Sequence, residues 1–268
     1  MPGPGGAVSA LPSPGNDPIV FWRNEIAAAP AHQPTKGMPI PAQPLPHDIA
    51  PAHGKRHRYE ACLLAALIPV ALATYYCVAY LDIPVADVVR RYLYASRGWR
   101  HYTSSLPDAL FILVACVTLG SYALFRYRAA HTGIDAPAVM YKLLAVAAPA
   151  SFCVKTLLKW VFGRINTREW LLTPQGYGFH WFNGSDRYSG FPSGHMVVIA
   201  ALAAVVWRFN PRWRPLCLAL LLLLAAALVA TNYHFLSDVV AGLYAGLAVE
   251  AAACRVVGRR YRFLPMVE

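Results

Sequence analysis

Apolar runs close to the length of a membrane crossing recur along this chain, and they constrain its fold more than any other feature. They lie at about Ala61–Tyr80, Ala109–Phe125, Ala138–Leu158, Ser193–Phe209, Pro215–Thr231 and Val239–Val257. Each is near the length needed to cross ~30 Å of hydrocarbon at ~1.5 Å per residue. The fourth is the least regular, because Arg208 and Asn210 cut it short. Only 14% of the residues are charged, about half the share of a soluble domain. No internal repeat is visible. The fold expected is all-α, a six-transmembrane-helix bundle.

The formal charge of +11 suggests nucleic acid until the basic residues are placed, because they cluster at the ends of the apolar runs. Lys55, Arg56 and Arg58, then Arg126 and Arg128, then Arg208, Arg212 and Arg214, and finally Arg255, Arg259, Arg260 and Arg262 fall on one side. Such loop charges mark the cytoplasmic face, so both termini are expected inside and nucleic acid is not an expected partner. Arg90, Arg91, Arg97 and Arg100 dissent from the opposite side. There the spacing of Val85, Val88, Val89, Tyr92 and Leu93 predicts an amphipathic helix lying in the interface.

Residues 1–54 hold 12 of the 22 prolines and no sustained periodicity, so they read as a disordered cytoplasmic arm before a membrane domain at 55–268. The first residues lack the basic and apolar regions of a cleaved signal peptide. Cys62, Cys77, Cys116, Cys153, Cys217 and Cys254 all sit in or beside apolar runs. Without zinc-ligand spacing or loop positions, they read as small hydrophobes.

The polar residues between the later runs carry chemistry. Gly190-Phe191-Pro192-Ser193-Gly194-His195 opens the fourth run, and Ser193 and Gly194 suit a helix start whose N–H groups and dipole attract an anion. A second histidine, His234, precedes Asp238 by one helical turn, and Lys159 closes the third run. With six spans, Lys159, His195, His234 and Asp238 all reach the same membrane face. A lysine, an anion-binding turn and two histidines, one backed by a carboxylate, point to phosphoryl transfer. Taken singly, a histidine or lysine at a helix end is more often an interfacial or snorkelling residue.

Lys159, the Pro192–His195 tetrapeptide and the His234–Asp238 segment together resemble the three signatures of the type 2 phosphatidic acid phosphatase superfamily, over roughly residues 137–250. The resemblance implies His234 as nucleophile, Asp238 as its orienting carboxylate and His195 as general acid and then base. Lys159, with the N–H groups near Ser193 and Gly194, would hold the phosphoryl oxygens. It implies no metal or other cofactor. Two positions depart from the family pattern: Asn166 and Leu228 stand where arginines are expected. Arg164, Arg168 and Arg187 lie in the same outer loop and are candidate replacements. The loop also carries Trp170, Phe179, Trp181, Phe182 and Tyr188, either as interfacial anchors or as a roof over a lipid headgroup.

The function expected is metal-independent hydrolysis of a phosphomonoester or pyrophosphate on a membrane lipid: phosphatidic acid, phosphatidylglycerophosphate, a polyprenyl pyrophosphate or lipid A. The setting is a bacterial inner membrane, with the site extracytoplasmic. Rival readings are a lipid phosphotransferase, a non-catalytic transporter or scaffold, and, more weakly, a haem or metal protein. The residues do not define an oligomeric state. Away from the chemistry, Lys142 and Glu250 lie at similar depths in the third and sixth runs, and an intramembrane charge needs a partner. A Lys142–Glu250 pair is therefore expected, with snorkelling of Lys142 as the alternative.

Overall fold

A computed structural model describes residues 52–93 and 106–259. The expected arm over 1–54 falls almost entirely outside the described residues, as do Arg97 and Arg100. Helix α1 (Ala52–Tyr76) continues through a π-helical turn at Cys77–Leu81 into α2 (Asp82–Leu93). Then come α3 (Leu106–His131), α4 (Ala136–Phe162), the short α5 (Thr167–Leu172), α6 (Gly194–Phe209), α7 (Arg214–Ala230) and α8 (Leu236–Gly258). Isolated bridges of Arg164 to Phe179 and Ser189 are the only β pairing among the described residues.

Among the described residues, five helical stretches are long and apolar enough to cross a membrane: Arg58–Tyr92, Ala109–His131, Ala136–Phe162, Pro211–Ala230 and Leu236–Gly258. The sixth expected span, α6, has only 16 residues, or ~24 Å. Five of the six expected spans are therefore full-length helices, and the sixth is a shorter apolar helix over nearly the expected residues. Its shortness has a physical reason: α6 is the interior of the bundle, packed against α4, α8 and α7. Met196, Val197, Val198, Ala200, Ala201 and Val205 are all buried. The outer helices instead expose leucines such as Leu72 on α1 and Leu222 on α7, as faces against lipid do.

Two glycines set the closest helix contact. A Cβ on Gly242 would lie 2.9 Å from the Ser193 carbonyl oxygen, and one on Gly246 would lie 2.6 Å from that of Val197. This four-residue spacing of small residues lets α8 and α6 approach backbone to backbone. It joins the start of α6 to the start of α8, where the Ser193 N–H donates to the Asp238 carbonyl at 2.9 Å.

The interfacial helix expected after the first span does begin at Asp82, but it is not a separate surface element. It prolongs α1, burying Asp82 and Ala86 and leaving Val88 and Tyr92 exposed.

The expected Lys142–Glu250 pair does not form. Arg208, at the far end of α6, holds Glu250 of α8 with Nε–Oε1 2.7 Å and Nη2–Oε2 3.2 Å. The Tyr59 hydroxyl donates to the same carboxylate at 3.2 Å. The close α6–α8 packing brings a two-pronged guanidinium to Glu250, a better match for a carboxylate than a lysine. Lys142 instead faces α3, with its ammonium 5.3 Å and 5.1 Å from the ring centroids of Tyr122 and Phe125.

Candidate active site

Helix α4 must end abruptly to deliver Arg164 into the interior. Asp135 starts it, accepting the Ala138 N–H at 2.9 Å. Gly163 stops it in the left-handed region at φ 54°, where glycine carries no Cβ penalty. No other residue fits, since a Cβ there would lie 1.9 Å from the His180 carbonyl oxygen.

The next residue, Arg164, is completely buried. Its Nη1 donates to Asp238 Oδ1 at 2.7 Å and to the Ser237 hydroxyl. Its Nη2 donates to Asp82 Oδ2 at 2.7 Å and to the Tyr177 hydroxyl at 2.9 Å. Burial opposes the charge, but Asp238 and Asp82 outweigh it and hold the guanidinium pKa above its ordinary value. Burial pushes the Tyr177 phenol up to about 12, keeping its proton for the Val78 carbonyl 2.6 Å away. The rings of Tyr177, Phe179 and Phe235 enclose the guanidinium at 4.6–5.4 Å.

The aromatic loop therefore roofs Arg164, while Trp181 and Phe182 remain exposed in the anchor position. Arg164 does not border the cavity in front of His234. It binds the carboxylate behind His234 instead.

His234 lies in the turn between α7 and α8. Asn232 takes the left-handed conformation at φ 47°, which asparagine tolerates. Its amide donates to the Ala86 carbonyl at 3.2 Å. The N–H groups of Tyr233 and His234 return to the Leu228 carbonyl, so Leu228 serves the turn through its backbone and the core through its side chain. His234 Nδ1 then lies 3.4 Å from Asp238 Oδ2, an oxygen also bound by the Phe235 N–H at 2.9 Å. Burial drives the His234 pKa below its ordinary 6.5, against the pull of Asp238 and with help from Lys159. The ring is therefore neutral, and nucleophilic, at pH 7.

A cavity of about 500 Å³ opens in front of His234, bordered also by His195, Lys159, Lys155, Arg168 and Gly194. The Tyr233 ring contacts both histidines, with its centroid 5.1 Å from that of His234 and 5.6 Å from that of His195. Arg168 reaches the cavity with its guanidinium 4.9 Å over Tyr233 and a 3.3 Å bond to the Thr231 carbonyl. Arg187 is exposed, rests 6.0 Å over Tyr188 and does not border the cavity. Asn166 borders it but donates to the Asp186 carbonyl at 2.8 Å.

Ser193 caps α6 by accepting from the Met196 N–H at 3.5 Å. Its own N–H is occupied by Asp238, so Gly194 is the part of the helix start that faces the space. Among the described residues, no three His, Cys, Asp or Glu side chains sit together as a metal site.

Sequence reasoning missed two of these groups. Asp82 gave no local signal, because it meets Arg164 across 82 positions. Lys155 did give one: it precedes Lys159 by one turn on the same helix face.

The chain is 25% identical over 197 residues to a lipid A 1-phosphatase of Rhizobium etli, covering 70% of this chain and 81% of that protein. It is 26% identical over 197 residues to the lipid A 1-phosphatase of Rhizobium johnstonii, covering 70% and 77%. No solved structure matches significantly. The model of the PAP2 superfamily matches residues 138–262, a stretch holding Lys159, His195, His234 and Asp238.

Proposed function

We propose that this membrane protein is a lipid phosphatase working through a phosphohistidine on His234, with a lipid A-type phosphomonoester as its substrate. The observation that carries the reading is a neutral, buried histidine backed by Asp238–Arg164–Asp82 and facing a cavity lined by cations. His234 Nε2, the nitrogen that Asp238 does not take, attacks phosphorus. The bond from phosphorus to the lipid oxygen breaks, and His195 gives that oxygen its proton. His195 then removes a proton from water, whose oxygen attacks the same phosphorus. The P–N bond breaks and inorganic phosphate leaves.

Lys159, Arg168 and the start of α6 at Gly194 neutralise the phosphoryl oxygens, on which charge accumulates. The roles of Ser193 and Arg164 in this reading are to fix α6 and Asp238, and Arg187 has none. The site lies at the extracytoplasmic face of a bacterial inner membrane. Arg126, Arg128, Arg212, Arg214, Arg255 and Arg259 gather at the opposite end of the helices, as cytoplasmic charges do.

The names of the two relatives favour lipid A over the other lipid phosphates. The test is phosphate release from lipid A, phosphatidic acid and polyprenyl pyrophosphate, with EDTA present. Wild type should release phosphate from lipid A fastest, and His234→Ala should release none. Transfer of the phosphoryl group to a second lipid without phosphate release would identify a transferase, and neither outcome would leave a scaffold.

A further inference from the structure

Resting on that reading, we propose that Lys155 is a second phosphate-binding lysine, completing a three-cation cradle with Lys159 and Arg168. The family pattern would bring two arginines to this site, and here neither position can supply a cation. Leu228 is packed in the apolar core with Met196, Ala200 and Val239. Asn166 is neutral and occupied by a loop carbonyl.

Lys155 stands where the deficit falls. It lines the same cavity as His234, His195 and Lys159. Both lysines border the start of α6: a Cβ on Gly194 would lie 2.8 Å from Lys155 Cδ and 3.5 Å from Lys159 Cε. The Lys155 ammonium is 3.9 Å from the Phe152 ring centroid, which holds its stem against α4. Among the described residues neither lysine is ion-paired with a carboxylate. Glu169 and Asp186 also border the cavity, but both are exposed.

Like charges one helical turn apart repel, and burial makes each more costly. Two adjacent lysines with no carboxylate partner are therefore an arrangement waiting for an anion. Lys142, on the same helix, shows the contrast: it faces aromatic rings and does not border this cavity. Three cations also match in number the three equatorial oxygens over which charge spreads during phosphoryl transfer.

The test uses the detergent-purified full chain with lipid A as substrate and inorganic phosphate as competitive inhibitor. Lys155→Met should lower kcat/KM by about 10–100-fold and weaken phosphate inhibition by a similar factor, as loss of a charge-assisted bond does. Lys155→Arg should recover most of both. Phosphate inhibition unchanged in Lys155→Met overturns the assignment, whatever happens to turnover, and so does a loss that Lys155→Arg leaves unrepaired. His234→Ala in the same assay tests the reaction separately. If it turns over like wild type, the phosphohistidine reading fails and not the lysine.

Discussion

Two buried arginine–carboxylate clusters sit at opposite ends of α6 and α8, built from the same parts for different ends. At the far end, Arg208 meets one carboxylate, Glu250, so charge balances, and Tyr59 supplies a further hydrogen bond. Neither partner borders the cavity before His234, and neither holds a histidine. At the near end, Arg164 meets two carboxylates, Asp238 and Asp82. That places one carboxylate more than there are guanidiniums behind His234.

The balanced pair closes on itself, whereas on the proposed mechanism the unbalanced one lies behind the atom where a positive charge would develop. On that mechanism phosphohistidine formation would place a cation on the ring, which the excess carboxylate would stabilise. Outside the cluster, the sign reverses: Lys155, Lys159 and Arg168 border the cavity in front of His234.

The comparison breaks most readily at Arg164. Removing it leaves two buried carboxylates against each other, which costs about 3–5 kcal/mol. Arg164→Ala should lower the thermal midpoint in detergent by several degrees and abolish turnover as well. Stability without activity loss would deny the cluster its catalytic role.

At the other end, Arg208→Met or Glu250→Gln alone should destabilise by a similar ~3–5 kcal/mol. The Arg208→Met, Glu250→Leu double variant should be less harmed than the worse single one. Its kcat should stay within about threefold of wild type, because a balanced pair far from the cavity contributes no field to His234. A kcat that falls with the double variant would erase the distinction between the clusters.

Asp82→Asn isolates the excess charge. We expect kcat to fall by about 10–100-fold with KM little changed, since a field behind the nucleophile acts on the transition state. The pH profile supplies the sign. Burial already holds the His234 pKa below 6.5, so the acid limb of kcat/KM should lie below pH 6.5 in wild type. Removing a negative charge disfavours the protonated ring further, and the limb should move to still lower pH. An unmoved limb would show that Asp82 serves only to anchor α2.

The smallest effects separate the loop arginines. Arg168→Ala should cost roughly 1.5–3 kcal/mol in kcat/KM. Arg187→Ala, exposed and outside the cavity, should change it less than about threefold.

Much of this was legible in the sequence, for local reasons. The spans come from apolar runs, and the histidines and Asp238 from short motifs whose spacing survives into the fold. What escaped was long-range. Asp82 looks like an acid at the end of a span until the continuation of α1 into α2 brings it beside the start of α8. The Lys142–Glu250 expectation matched depth in the bilayer but ignored which side of each helix the residues occupy. Arg208 reads in sequence as one more cytoplasmic loop charge, which hides it as a partner for Glu250.

Two signals were present and unread. The Gly242–Gly246 spacing announced the α6–α8 contact that brings Arg208 to Glu250 and Ser193 to Asp238. The Lys155–Lys159 spacing announced a shared face. The α6 helix, expected at Ser193–Phe209, forms at Gly194–Phe209 as the short interior helix of the bundle.

The central claim is that the unbalanced cluster exists to carry a cation on His234, and trapping that cation tests it most directly. Rapidly quenched protein, mixed with radiolabelled lipid phosphomonoester at neutral pH, should carry a label that is acid-labile, alkali-stable and located on His234. The label should accumulate in His195→Ala when the leaving group is good, because the second step then lacks its base, and it should be absent from His234→Ala. Label on another residue, or turnover by His234→Ala without label, would contradict the account.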